Sequence, residues 1–118
     1  GMVKAMVAIE HAHDHLKAIE KAGWVTPSDH PDLVPVAEAG QLADLFRLLI
    51  TDEHTLKEGE DMAARFRKDN QAATTLEDLL AGIAKGSAPD EAQRAAMTAQ
   101  FKLMHSRSSP AVSMGSST

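Results

Sequence analysis

The chain is expected to be all-α and to fold as an antiparallel up-down-up-down four-helix bundle. Three features carry that expectation. Apolar residues recur at spacings of three and four along four segments. Gly and Pro clusters separate those segments at loop-like intervals. The apolar content comes chiefly from Ala, Leu and Met, with only three Phe, one Trp and no Tyr, a mix that favours helices over strands. With 118 residues, of which 43% are hydrophobic and 25% charged, there is material for one domain around one core.

The first helix is expected over 2–22, with Met2, Met6, Ile9, His13, Leu16 and Ile19 or Ala22 on its inner face. Gly23 ends it. Residues 23–35, GWVTPSDHPDLVP, form a loop punctuated by Pro27, Pro31 and Pro35, over which Trp24 folds back onto the adjacent bundle end. The second helix starts near Pro35, which suits a first-turn position. It buries Val36, Ala39, Leu42, Leu45, Phe46, Leu49 and Ile50.

The polar run Thr51–Thr55 interrupts that stripe, and Thr55 followed by Glu58 fits a capping box. A third helix is therefore expected over about 55–84, with Leu56, Gly59, Met62 or Ala63, Phe66, Ala73, Leu76 or Glu77, Leu80 and Ile83 inward. The alternative is one helix over 36–66 with the break at Arg67–Gln71. The run Lys85–Asp90 is a clear break. The fourth helix is expected over about 89–107, with Ala92, Ala95 or Ala96, Ala99, Leu103 and Met104 inward. The bundle is expected to occupy 1–107, with 108–118 a small, polar tail.

Composition also bounds function. Net charge is −5 with Lys and Arg dispersed, so nucleic acid is not an expected partner. No apolar run approaches the ~18 residues of a membrane span, and no membrane insertion is expected. The chain has no cysteine, which excludes disulfides, thiol nucleophiles, Cys-ligated zinc and thioether-linked haem. If Met2 is the native start the chain belongs to the cytoplasm; an export signal removed ahead of it would place it in the periplasm. No Ser/His/Asp set, glycine-rich phosphate loop or paired-carboxylate pattern is present, and enzymatic activity is not expected.

The reactive side chains concentrate at one end of the expected bundle. There the start of the first helix lies beside the end of the last, at the level of the second-to-third junction. Met6, His54, Glu58 and His105 fall at that level. His11 lies about 7–8 Å further in at ~1.5 Å per residue, His15 deeper, and His30 in the far loop. Each has a plain structural reading beside the functional one. His13 and His15 flank Asp14 as a solvated face, His54 is an exposed interhelix residue, Glu58 caps, and Met6 fills the core. His105, near the end of the last helix, suits the helix dipole.

Residues 101–110, FKLMHSRSSP, resemble the C-terminal signature of the helical cytochromes c-prime, a C-x-x-C-H motif followed by a short basic stretch. Phe101 and Met104 stand at the two cysteine positions and His105 at the haem-ligating histidine, with Arg107 and Pro110 continuing the pattern. LADLFRLL at 42–49 and EDM at 60–62 are also similar. The missing cysteines rule out covalent attachment. Four-helix cytochromes b, which hold haem without covalent attachment, use a Met early in the first helix and a His late in the fourth. The resemblance, which extends to LKAIEKA at 16–22, implies Met6 and His105 as ligands of a haem b. It implies electron transfer with a redox partner protein or within a homodimer, or else a relative that has lost its haem.

A second resemblance is to the hemerythrin-like HHE bundles. His54 and Glu58 match their H-x-x-x-E, His11 or His15 their first-helix histidine, and His105 their fourth-helix histidine. Their H-x-x-x-H on the third helix is absent, with Ala73 and Glu77 at the corresponding positions. What this implies is a mononuclear or carboxylate-rich site at His54, Glu58, Glu77 and His105, suited to Fe, Zn, Mn or Ni. A third resemblance, His54-Thr55-Leu56-Lys57, is to histidine phosphotransfer domains. Glu58 stands there in place of a small residue, and its charge opposes an incoming phosphoryl group. The remaining alternative is a bundle without a cofactor that acts through its surface.

Overall fold

The computed structural model describes residues 2–84 and 86–105, apart from the side chains of Met2, His54 and His105; the expected tail at 108–118 lies outside these residues. Among them the chain forms five α-helices and no strand: α1 Met2–Lys21, α2 Pro35–Ile50, α3 Glu53–Glu58, α4 Glu60–Ala81 and α5 Glu91–His105.

Local chemistry sets the ends of the helices. At the close of α1 the Gly23 amide donates to the Glu20 carbonyl at 3.0 Å and the Trp24 amide to the Ile19 carbonyl at 2.9 Å. This is the paired bonding of a Schellman cap, which needs a left-handed residue after the helix. Gly23 supplies it at φ +88°, and Trp24 follows at φ +63°, a conformation a bulky residue holds only where its side chain is anchored. The anchor is burial: Trp24 is 2% exposed. Pro35 opens α2 as expected. Asp90 and Gln93 exchange backbone-to-side-chain hydrogen bonds, each 2.8 Å, ahead of α5. That is the reciprocal capping box, and it stands here rather than at Thr55 and Glu58.

The middle of the chain differs from expectation in detail. Helix structure does stop after Ile50, so the single long helix over 36–66 is excluded. The third expected helix is two helices, α3 and α4, divided at Gly59, whose φ of +107° and ψ of 178° lie outside the range open to other residues. The polar stretch Arg67–Gln71 remains helical. Arg67, Lys68 and Gln71 face outward, Asp69 is buried, and Asn70 donates to the Ala43 carbonyl at 2.8 Å. Thr55 sits inside α3 and is fully buried, while Leu56 faces out, the reverse of the expected face.

The core joins every long helix. Gly40 of α2 meets Glu77 of α4, Ala43 meets Asn70, and Phe46 stacks on Phe66 with ring centroids 6.4 Å apart. Rising numbers on α2 meet falling numbers on α4, so these two helices run antiparallel. Ala39 and Ala43 of α2 and Ala73 of α4 are buried small residues of these two helices, while Ala72 lines the groove between α4 and α5. On α1 the buried series is Ala12, Leu16 and Ile19, with Ala5 and Ile9 packed beside it. Ile9, Leu16 and Ile19 are inward as expected, but Ala5 and Ala12 stand at the centre of the stripe in place of Met6 and His13, which leaves Met6 38% exposed, His13 half-buried and Ala22 exposed. On α5 the inward residues are Met97, Phe101 and Met104, whereas Ala92, Ala95, Ala99 and Leu103 face out. Uniform alanines gave the sequence pattern no contrast there, and the large side chains decided the face.

The faces of α5 predict two different mutational costs. Met97→Ala lowers the unfolding free energy by about 2–5 kcal/mol through the cavity it leaves. Leu103→Ala changes it by about 0.5 kcal/mol or less. Urea denaturation of the two variants reads both values, and a reversed order would restore the face expected from the sequence.

Candidate functional site

The most chemically distinctive part of the interior lies between α1 and α5. The imidazole of His13, half-buried on α1, stacks on the Phe101 ring of α5 at a centroid distance of 4.7 Å and an interplanar angle of 28°. Trp24 meets the same Phe101 ring edge-on at 5.8 Å and 87°. Its indole N–H donates to the Thr98 hydroxyl of α5 at 3.0 Å. The Schellman cap holds Trp24 in this position: the turn that ends α1 aims the indole back along the interior. The four side chains thus form one continuous contact from α1 through its C-terminal turn to α5. Edge-on and offset ring pairs of this kind add about 0.5–1.5 kcal/mol each beyond the area they bury.

The positions compared with the two cysteines of cytochromes c-prime are both interior. Phe101 and Met104 are 3% exposed each, and they fill space within one turn of His105 on the same helix. At the level of Phe101, the space between α1 and α5 is therefore taken by protein side chains. Met6 does not share it. Its side chain is exposed on the first turns of α1, between the exposed Val3 and Val7. His105 ends α5, but its side chain lies outside the described residues, as does that of His54.

The remaining candidates are dispersed. His11 faces out from α1. His15 is also exposed, and its Nδ1 lies 2.8 Å from the Glu38 carboxylate of α2, tying the two helices. Glu58 is exposed at the end of α3. Glu77 is half-buried near the opposite end of α4, its carboxylate lying against Gly40 of α2. From Glu60, at the start of α4, to Glu77 the helix rises about 25 Å, so Glu58 and Glu77 are not brought together. Among the described residues no group of three or more His, Cys, Asp or Glu side chains converges.

Elsewhere a groove of about 590 Å³ runs between α4 and α5, lined by Arg65, Lys68, Asp69, Gln100 and Leu103 among others. Its rim is basic while the neighbouring pocket, of about 240 Å³, takes Glu58 and Asp61 together with Arg65. Charges of both signs alternate along this side. Among the described residues no helix is long and apolar enough to cross a membrane.

The sequence offers two readings of His13, an inner-face residue by its register and a solvated neighbour of His15; it points at α5 while His15 points at α2. The available signal was its register: His13 stands between Ile9 and Leu16 at spacings of four and three, on the border of the buried stripe.

The seat of Glu77 has a direct test. A Cβ added at Gly40 would lie 2.8 Å from a Glu77 carboxylate oxygen, so Gly40→Ala must displace that side chain. Replacing a mid-helix Gly by Ala is otherwise worth up to about 1 kcal/mol. In the Glu77→Ala background Gly40→Ala is expected to stabilise by roughly 0.5–1 kcal/mol, and in the native background by clearly less. Additive effects in the four-variant thermal denaturation cycle would remove Glu77 from α2. Comparison with protein-family models, with curated proteins and with solved structures finds no match to this chain.

Proposed function

We propose that the chain is a cytochrome-like antiparallel four-helix bundle that has replaced its cofactor with protein side chains and acts through its surface as an interaction scaffold. In this reading α1, α2, α4 and α5 are the four bundle helices and α3 is a short insertion at the turn between the second and third. The antiparallel register of α2 against α4 and the contacts of α1 with both α2 and α5 support that arrangement.

One observation carries the functional part: the stack of His13, Phe101 and Trp24 between α1 and α5. A flat macrocycle ligated from the last turn of α5 would have to lie against Phe101 and Met104, both of which point into the core. Met6, the other ligand that the cytochrome b resemblance implies, faces the outside of α1. The donor set that the hemerythrin-like resemblance implies is divided along α4, with Glu77 far from Glu58. A haem b held by Met6 and His105 is the competing reading, and it requires α1 to turn on its axis and Phe101 to leave its seat.

Titration of the purified protein with hemin separates the two. The scaffold reading expects a broad, non-saturating absorbance change, and elemental analysis without stoichiometric Fe or Zn. A sharp Soret band at one haem per chain that His105→Ala abolishes would overturn it in favour of electron transfer.

A further inference from the structure

The outer edge of α4 carries its charges in two blocks. Asp61, Arg65 and Lys68 stand at spacings of four and three, so they share one stripe of the helix, and all three are exposed. Glu58, at the end of α3, lines one pocket with Asp61, Met62 and Arg65. It extends the stripe past the break at Gly59, and the order along the edge is acid, acid, base, base. Elsewhere on the surface Arg47 and Arg67 pair with Asp44 and Glu60 of their own chain. Among the described residues Asp61, Arg65 and Lys68 form no ion pair.

α5 adds an apolar side chain to the same edge. Leu103 is 60% exposed and shares the groove with Arg65 and Lys68. Nearer the start of α4 lies the pocket of about 240 Å³, with the half-buried Met62 in its wall. Roughly 150 Å³ is enough to hold a benzene molecule, so this pocket admits the isobutyl group of a leucine. Leu103 of the same chain is not part of its wall.

Reversed end for end, the charge pattern is its own complement. Glu58 and Lys68 lie five positions to either side of Ala63, and Asp61 and Arg65 lie two. A two-fold axis passing beside Ala63, perpendicular to α4, lays a second copy antiparallel along this edge. Asp61 then meets the second copy's Arg65, and Glu58 meets the second copy's Lys68. The same rotation carries Leu103, at the level of the basic block, over the acidic block of the second copy, where the Met62 pocket lies. A parallel mate in register would set acid on acid and base on base.

We infer that this edge of α4, with Leu103 of α5, is the interface of an antiparallel homodimer. Two leucines seat in two Met62 pockets, inside a frame of four ion pairs. Exposed ion pairs contribute little each, so affinity rests on burying the leucines, while the charges set the register and reject a parallel mate. A second copy of the chain is thus one partner of the scaffold surface proposed above. The hemin titration reports on the interior and the dimer on the exterior, so either can fail without the other.

Sedimentation equilibrium of the full chain tests this. At about 200 µM in low salt, well above a micromolar dissociation constant, the native chain is expected at twice its monomer mass of 12.6 kDa. A monomer at that concentration overturns the proposal. Arg65→Asp sets a carboxylate against the second copy's Asp61, and the dissociation constant should rise at least about tenfold. Adding Asp61→Arg to that variant exchanges both signs and should restore affinity to within about threefold of native. A single variant that dimerises like the native chain, or a double variant as weak as the single one, places the contact elsewhere and overturns the proposal. Leu103→Ala leaves α4 intact and carries the test should Arg65→Asp lose its helical circular dichroism. It should weaken dimerisation about tenfold, and unchanged dimerisation would remove the leucine, and with it the interface.

Discussion

The contact of His13 with Phe101 is the constraint around which the molecule is organised. α2 and α4 pack along a seam where small residues such as Gly40 let them approach and the rings of Phe46 and Phe66 stack across it. The outer helices have no such seam with one another. α1 and α5 meet through long side chains, and the imidazole, the phenyl ring and the indole of Trp24 span the distance. Removing Phe101 would break both ring contacts and leave the Trp24–Thr98 hydrogen bond to span the gap. The cap at Gly23 belongs to the same device, because a left-handed turn is what swings Trp24 into the interior.

That constraint links fold to function. Helical bundles place cofactors in their cores, on side chains from facing helices. Here the two facing helices most suited to that task are held together by rings. Among the described residues, rings fill the space between α1 and α5 at the level of Phe101, while the outside carries exposed Val3, Met6 and Val7 on α1, and Leu48 and Leu56 around the α2–α3 junction. Surface chemistry, including the self-complementary charges along the edge of α4, is where this molecule departs from a generic helical domain.

Much of the fold was legible in the sequence wherever a residue had a single local role. Gly23, Pro35 and the break before α5 marked helix limits through backbone chemistry that tertiary packing does not override. The inner face of α2 was also legible, because its large apolar residues leave only one stripe. Legibility failed where the local signal was weak or had two meanings. Four alanines in α5 look alike from every side, so Met97 and Phe101 set a face that the pattern did not reveal. Thr55 and Glu58 satisfied the spacing of a capping box, but the helix had already begun at Glu53, and Gly59 acted as a break rather than as part of a stripe. Of the candidate site residues, the sequence placed Met6 inward, whereas its neighbour Ala5 packs on the core and Met6 lies at the edge of the stripe, 38% exposed. It also set Glu77 beside Glu58 by analogy with a metal-binding bundle, and only the length of α4 separates them.

The account depends most directly on the ring stack in solution. Two-dimensional nuclear Overhauser spectra of the native chain should show cross-peaks from the His13 imidazole protons to the Phe101 ring, and from Phe101 to the Trp24 indole. An imidazole of His13 with no such cross-peaks, together with an indole N–H that exchanges at the rate of a solvent-exposed tryptophan, would contradict it.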